Sequence, residues 1–267
     1  MALNTDKNSY TVIFAIAMVV VVGAILASMA GGLKPMIKEN ERLEKQQNIL
    51  YAMGVNDNGD DKGAINFVPT EEVAEVFAKY ITKQLVIVNG EVVHAVEGDE
   101  IVKNSEEDGL KGLKDIYLID IKKEADKAKD PSYSRKLPLF VGEKDGKTLY
   151  VVPMRGKGLW DAIWGYAALD KDMVVQGVFF DHKGETPGLG ANIKARFFMD
   201  DFKGEALYAG NAFNGITVAK GNADPLNKIK DDNEVDALAG ATITGDGVTA
   251  MIKKDLSMYL SYFENLK

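Results

Sequence analysis

The feature that most constrains this chain is a stretch without charge. From Asn8 to Leu33 there is no Asp, Glu, Lys or Arg, and Tyr10 to Ala30 is almost wholly apolar. At about 1.5 Å per residue, a helix over residues 11–31 covers a hydrocarbon core of about 30 Å. A cleaved signal peptide is the competing reading, because Ser28-Met29-Ala30 resembles a small-residue cleavage site. The apolar run exceeds a signal peptide's usual core, and Lys7 is the only base ahead of it. The expectation is therefore a retained anchor. Gly23, Ala27 and Gly31 recur at i, i+4 and i+8. They form a smooth ridge against which another transmembrane helix could pack closely.

Orientation is a conflict at this level. Lys34, Lys38, Arg42 and Lys45 follow the span, and only Lys7 precedes it. Counted alone, those bases favour a cytoplasmic C-terminal part. Glu39, Glu41 and Glu44 are interleaved with them, as on a solvated helix with ion pairs.

Composition removes several function classes. The formal net charge of -8 argues against nucleic acid as the main partner, since phosphate binding needs a basic surface. The chain has no cysteine, so it carries no disulfide, iron–sulfur cluster or thiolate metal site of its own. His94 and His182 are its two histidines. A histidine-rich metal site is excluded, a catalytic triad is disfavoured, and no metal site is expected.

Beyond the span, Pro35 to Met53 reads as a polar helix. Asn56 to Gly63 reads as a solvated acidic loop. It has Asn58, Asp60 and Gly63 at calcium-loop offsets, but Pro69 stands where the bidentate glutamate is needed. Thr70–Thr82 is expected to be helical, with Val73, Val76, Phe77 and Tyr80 on one face. Asn89-Gly90 and Asp145-Gly146 each separate two β-rich runs and predict hairpins. A surface helix is expected at 122–129. Two more strands are expected at 163–170 and 173–182, turning at Lys171-Asp172. A helical stretch should run through Arg196 and Phe197, after which ITVAK spans 216–220. The last helix is expected from Asp246, with Val248, Met251, Ile252, Leu256, Tyr259, Leu260 and Phe263 sharing a face. The fold class is α+β: one N-terminal transmembrane helix, then a soluble part with an antiparallel sheet and flanking helices. The expected divisions are a short leader (1–10), the transmembrane helix (11–31), a membrane-proximal helical and β region (32–130) and a second domain (131–267) ending in the last helix.

Two stretches are candidates for chemistry. In HKGETPGLG, Gly184, Gly188 and Gly190 permit unusual backbone and close ligand approach, Pro187 stiffens the loop, and Glu185 and Thr186 offer an acid and a hydroxyl. A tight strand-to-helix connection explains the same residues. In DALAGATITGDG, Gly240 and Ala241 leave the backbone around Thr242 bare, and a helix start places free amides and a positive dipole end nearby. That suits a phosphate. The alternative is that Thr244 caps the helix and Thr242 fills a turn.

Together these features resemble the flavin-binding family that includes the NqrC proteins of sodium-translocating NADH:quinone oxidoreductases and the related RnfG proteins. The shared elements are the anchor, Glu185-Thr186-Pro187-Gly188-Leu189-Gly190, and Gly240-Ala241-Thr242 just before the last helix. The resemblance spans essentially the whole chain and makes residues 131–267 an FMN-binding domain. It implies FMN joined covalently through its phosphate to Thr242, with a flavin transferase making the bond and Asp236 guiding it. One departure is Ala239, where the family has Ser or Thr. The resemblance also implies partner membrane, flavin and iron–sulfur subunits, a place in the bacterial inner membrane, and a periplasmic flavin domain. NADH oxidation, quinone reduction and sodium passage would depend on the partners. One span is too few for an ion channel, and no dinucleotide fingerprint follows a strand. An RnfG-like subunit of a ferredoxin-linked ion-translocating complex is the second reading, and a membrane-anchored scaffold without redox role the third. Trp160, Trp164 and Tyr166 could flank the flavin ring, but large aromatics usually belong to the core, and core is the expectation.

Overall fold

The computed structural model describes residues 8–59, 64–221, 224 and 227–266. Lys7, Asp60 and Gly63, which entered the charge count and the calcium-loop comparison, lie outside them. The chain divides into two compact units, Met1–Glu44 and Lys45–Lys267. In the first, the described residues all belong to helix α1, which runs Asn8–Ala52 and crosses into the second unit's sequence. Its apolar part is long enough to cross a membrane and has no buried residue. Pro35 lies inside α1, where it removes the amide that would bond Gly31. Glu39 and Arg42 form one of the expected ion pairs along it, at 2.6 Å.

The second unit is organised by a seven-stranded sheet, antiparallel throughout. The strands are β1 (Ile81–Val88), β2 (Glu91–Glu97), β3 (Glu100–Lys103), β4 (Leu137–Lys144), β5 (Lys147–Lys157), β6 (Ala162–Leu169) and β7 (Val175–His182). Their spatial order is β3-β2-β1-β4-β5-β6-β7. Both sequence-predicted hairpins form. Asn89 and Gly90 have φ of 50° and 84°, and Asp145 and Gly146 have 53° and 74°, the positive pair a tight twisted turn requires. The β6–β7 turn is organised by Asp170, whose Oδ1 accepts from the amides of Asp172 and Val174 at 2.9 and 3.0 Å. It extends past Lys171-Asp172, so β7 begins at Val175 rather than at residue 173.

One sheet face carries the end of α1, where Ile49, Leu50, Tyr51 and Ala52 are buried. Tyr51 meets Phe179 of β7 edge-on at 5.9 Å. Helix α2 (Val73–Tyr80) covers the same face and sets Phe77 against Tyr117 at 5.4 Å. It is shorter than expected because residues 70–72 form a turn and Ile81 already belongs to β1. The opposite face carries α4 (Arg196–Asp201), α5 (Thr242–Ser257) and α6 (Leu260–Glu264). Phe202 packs on Phe180 at 5.1 Å, and Phe263 on Tyr150 at 5.3 Å. The expected surface helix is α3 (Ile121–Lys127), capped by Asp120, which accepts from the amides of Lys122 and Lys123.

The final helix departs from expectation at both ends. It starts at Thr242, four residues before Asp246. Gly245 and Gly247 are poor helix formers and concealed that start. Gly247 is kept by packing, because a Cβ there would collide with the Lys157 carbonyl oxygen of β5. The apolar face also runs through a break: α5 ends at Ser257, and Tyr259 precedes α6. Val248, Met251, Ile252, Leu256, Tyr259 and Phe263 are buried, while Leu260 is half-exposed. Two small strand pairs complete the unit. β8 (Tyr208–Ala209) pairs antiparallel with β9 (Ala212–Phe213), and β10 (Thr217–Ala219) pairs parallel with β11 (Glu234–Asp236). The parallel pair departs from the expected antiparallel pattern.

Phe180 is fully buried between α4 and the sheet. Phe180→Ala should cost about 3–5 kcal/mol of stability. Val102→Ala, at an exposed position, should stay within about 0.5 kcal/mol. Thermal unfolding of the full chain in detergent, followed by circular dichroism, measures both.

Candidate functional site

Three chain segments meet where the last long helix begins. The first is the β5–β6 connection at residues 158–161. The second is the loop after β7, which leads into a short 3-10 helix at Gly190–Lys194. The third is the turn that enters α5. They enclose a surface cleft lined by Leu159, Glu185, Thr186, Leu189, Gly190 and residues 240–244.

Glu185 joins all three. It is buried, and its Oε1 accepts from the backbone amides of Trp160 and Asp161 at 2.9 and 3.4 Å. Its Oε2 accepts from the Thr244 hydroxyl at 2.6 Å. Burial is the largest single influence on this carboxyl and opposes ionisation. The Thr244 hydroxyl and the amides of Trp160, Asp161 and Leu159 together outweigh it and hold the group below the ordinary glutamate value. Gly190 exists for this contact: a Cβ there would lie 2.5 Å from Thr244 Oγ1 and 2.6 Å from Glu185 Oε2.

The loop has its own order. The Thr186 carbonyl accepts from the amides of Leu189 and Ala191, both at 3.1 Å. Gly188 takes φ of 77°. Pro187 and Gly188 are exposed and shape the turn without lining the cleft. His182 Nδ1 accepts from the Glu185 amide at 3.2 Å. The other histidine is remote and structural. His94 is fully buried, with its ring nitrogens bonded to the Ser105 amide and the Leu113 carbonyl at 3.1 and 2.7 Å.

Thr242 is the first residue of α5, half-buried. Ala241 occupies the N-cap and supplies no side-chain bond, so the first turn's amides face the cleft end without a capping group. Thr244 is therefore not the cap, as one reading of the sequence had it; its hydroxyl is committed to Glu185. Gly240 has φ of 72°, which lets the chain turn into the helix. Ala239 is exposed in that turn. Asp236 ends β11, half-buried and outside the cleft lining.

The rim is apolar. Leu159, Trp160, Leu189 and Ile243 are 45%, 66%, 41% and 57% exposed. For Trp160 this overturns the core expectation. It lies on the β5–β6 connection rather than on a strand, and its indole Nε1 donates to Thr186 Oγ1 at 3.2 Å. Tyr166 is a core residue as expected, and Trp164 is half-buried on β6. Leu159, Ile243 and the role of Thr244 were not read from the sequence. The contacts involved join residues up to 59 positions apart, and no local spacing encodes them.

Because the Glu185 carboxyl is held low, its contribution is present above the unfolded glutamate value of about 4.3 and lost as pH falls through the folded value. Thr244→Val should destabilise the protein by about 1.5–3 kcal/mol at pH 7, the range for a hydrogen bond to a charged group. Thermal unfolding across pH should show that difference shrinking once the carboxyl gains its proton. A pH-independent difference would mean that the bond is not to a carboxylate.

Comparison with known proteins agrees with this arrangement. A family model described as an FMN-binding domain matches residues 158–257, which include all three segments. The chain is similar to the NqrC protein of the Na(+)-translocating NADH-quinone reductase of Vibrio anguillarum, 32% identical over 251 residues, covering 93% of this chain and 90% of that protein. It is similar also to its Pseudomonas aeruginosa counterpart, 31% identical over 252 residues, covering 93% and 91%. The crystal structure of the corresponding protein from Parabacteroides distasonis superposes with a TM-score of 0.65 at 28% identity, covering 86% of this chain and 96% of that one. Shewanella oneidensis NqrC does so at 0.62 and 26%, covering 85% and 98%. With this long apolar helix, this sheet and this cleft, the chain belongs to the NqrC family of Na(+)-translocating NADH-quinone reductase subunits.

Proposed function

We propose that this chain is the electron-carrying flavoprotein subunit of a sodium-pumping NADH:quinone oxidoreductase, with FMN esterified through its phosphate to Thr242. The observation that carries the reading is the position of Thr242 at the first turn of an uncapped helix, inside a cleft with an apolar rim. The residues present fit the group. Gly240 and Ala241 leave room for a phosphate, and the first-turn amides with the helix dipole suit its charge. The exposed side chains of Leu159, Trp160, Leu189 and Ile243 would give the flavin ring an apolar bed. When bound, FMN supplies the redox chemistry, and the protein supplies placement and electrostatics.

Each residue then has a task. The Thr242 oxygen holds the phosphoryl group. Glu185, through Thr244 and the Trp160 amide, keeps the cleft walls together. Thr186, Leu189 and Gly190 form one wall, and Pro187 and Gly188 shape the turn between them. Asp236, at the end of β11 and outside the cleft lining, would be read by a flavin transferase rather than by the flavin. Ala239 brings no hydroxyl to that recognition, yet the acceptor itself is intact. The expected division into leader, span, membrane-proximal region and flavin domain is carried forward with this reading.

The subunit reading requires partners. The relatives are named as one subunit of an enzyme, and among the described residues there is one helix suited to crossing a membrane. Other membrane, flavin and iron–sulfur subunits would oxidise NADH, reduce quinone and pass sodium. The complex would sit in the bacterial inner membrane, with the flavin domain on the periplasmic side. The similarity to NqrC proteins across 93% of the chain favours this over an RnfG-like role, and the FMN-binding family match favours it over a scaffold.

The test is flavin fluorescence of the denatured protein on a gel after co-expression with a flavin transferase. Wild type should fluoresce, and Thr242→Ala should lose the signal. A dark wild-type band in the presence of an active transferase would end the covalent reading. Fluorescence in both would move the acceptor elsewhere, with Thr244 next to be replaced.

A further inference from the structure

The cleft has a charge imbalance that bears on the form of flavin it accepts. Among the described residues that line it, none is lysine or arginine. Its one charged lining residue is an acid, Glu185. Both carboxylate oxygens of Glu185 accept hydrogen bonds, from two backbone amides and a hydroxyl. Those partners are donors, so the anionic form is the one the surroundings satisfy. Lys183, in the same loop, is paired with Asp161 at 3.0 Å. Among the described lining residues, the attraction offered to an anion is that of the α5 amides and dipole, equivalent to about half a charge. A full negative charge from Glu185, bonded to the third residue of that helix, offsets it.

Phosphate esters differ in how they meet such a site. A free monoester such as FMN carries about two negative charges at neutral pH, its second pKa being near 6. A diester has one ionisable oxygen fewer and carries a single charge. Repulsion by a fixed carboxylate in a partly desolvated site scales with the ligand's charge. The α5 amides can bond either form.

We infer that Glu185 is a specificity-determining residue: its carboxylate keeps the free, doubly charged phosphate monoester out of the cleft and admits flavin phosphate only as the singly charged diester. This rests on the proposed ester at Thr242 and adds a reason for it. The tether is not a reinforcement of tight binding. It is the form in which the phosphate can be held at all. Free FMN would then not occupy the acceptor site ahead of the transferase.

The experiment uses the full chain purified in detergent from cells lacking the transferase, titrated at pH 7.5 with riboflavin, FMN and the phosphate monomethyl ester of FMN. The methyl ester is a soluble mimic of the tethered diester. Wild type should bind the methyl ester at least about ten-fold more tightly than FMN, as expected for one extra like charge near a fixed one. Glu185→Gln keeps the side chain's shape and should bring the two affinities within about two-fold, chiefly by improving FMN. Riboflavin should change little between the two proteins, which separates lost charge from lost structure. If wild type binds FMN as tightly as its methyl ester, the inference is wrong. It is equally wrong if Glu185→Gln leaves the ratio unchanged, or if neither protein binds the methyl ester. Should Glu185→Gln fail to fold, the wild-type ratio alone decides. The Thr242 reading fails on a different readout, the absence of fluorescence from denatured wild type made with the transferase.

Discussion

A single buried carboxylate organises the site. Glu185 binds the β5–β6 connection through two amides and the start of α5 through Thr244, while its own backbone belongs to the loop after β7. Without it, three loops from distant parts of the sequence would have no common fixed point. The sheet supplies their approximate placement, because β5, β6 and β7 are neighbours and α5 packs on β5 at Gly247. The carboxylate supplies the register. Its desolvation is offset by donors that act only when the three segments are together, so the contact is cooperative with the fold.

The same arrangement shows how structure and chemistry are divided. The Thr242 end of the cleft is polar backbone without a side-chain cap, and none of the described residues lining it is a cation. The rim is apolar and exposed, with Trp160 held by its own hydrogen bond to Thr186. A flavin has the matching halves, a charged phosphate tail and a flat, largely apolar ring. In the proposed role, electron transfer needs no protein acid or base. The two histidines fit that absence: His94 is structural, and His182 serves the backbone of Glu185.

Much of the fold was legible in the sequence because it depends on local signals. Asn89-Gly90 and Asp145-Gly146 encode tight turns by their tolerance of positive φ, and the alternating apolar runs around them encode strands. The apolar span is legible for the same reason. What failed was decided by tertiary contact. Gly245 and Gly247 argue against a helix in isolation, yet α5 includes both, because Val218 of β10 lies against the first and Lys157 of β5 against the second. Trp160 looks like a core residue by type and stands at the cleft rim by position. The β10–β11 pair joins short segments about fifteen residues apart, too brief to show a period. In the site, Thr242 and the loop at 185–190 were visible as motifs. The bond between Glu185 and Thr244 was not, since neither residue's neighbours announce a partner 59 positions away.

The central claim is that a flavin phosphate is esterified to the first residue of α5. The most direct measurement is tandem mass spectrometry of the tryptic peptide Asp231–Lys253 from protein made with the transferase. The account predicts that this peptide carries the mass of FMN less one water, with fragment ions assigning the addition to Thr242. An unmodified peptide, or an addition assigned to Thr244 or Thr249, would contradict it.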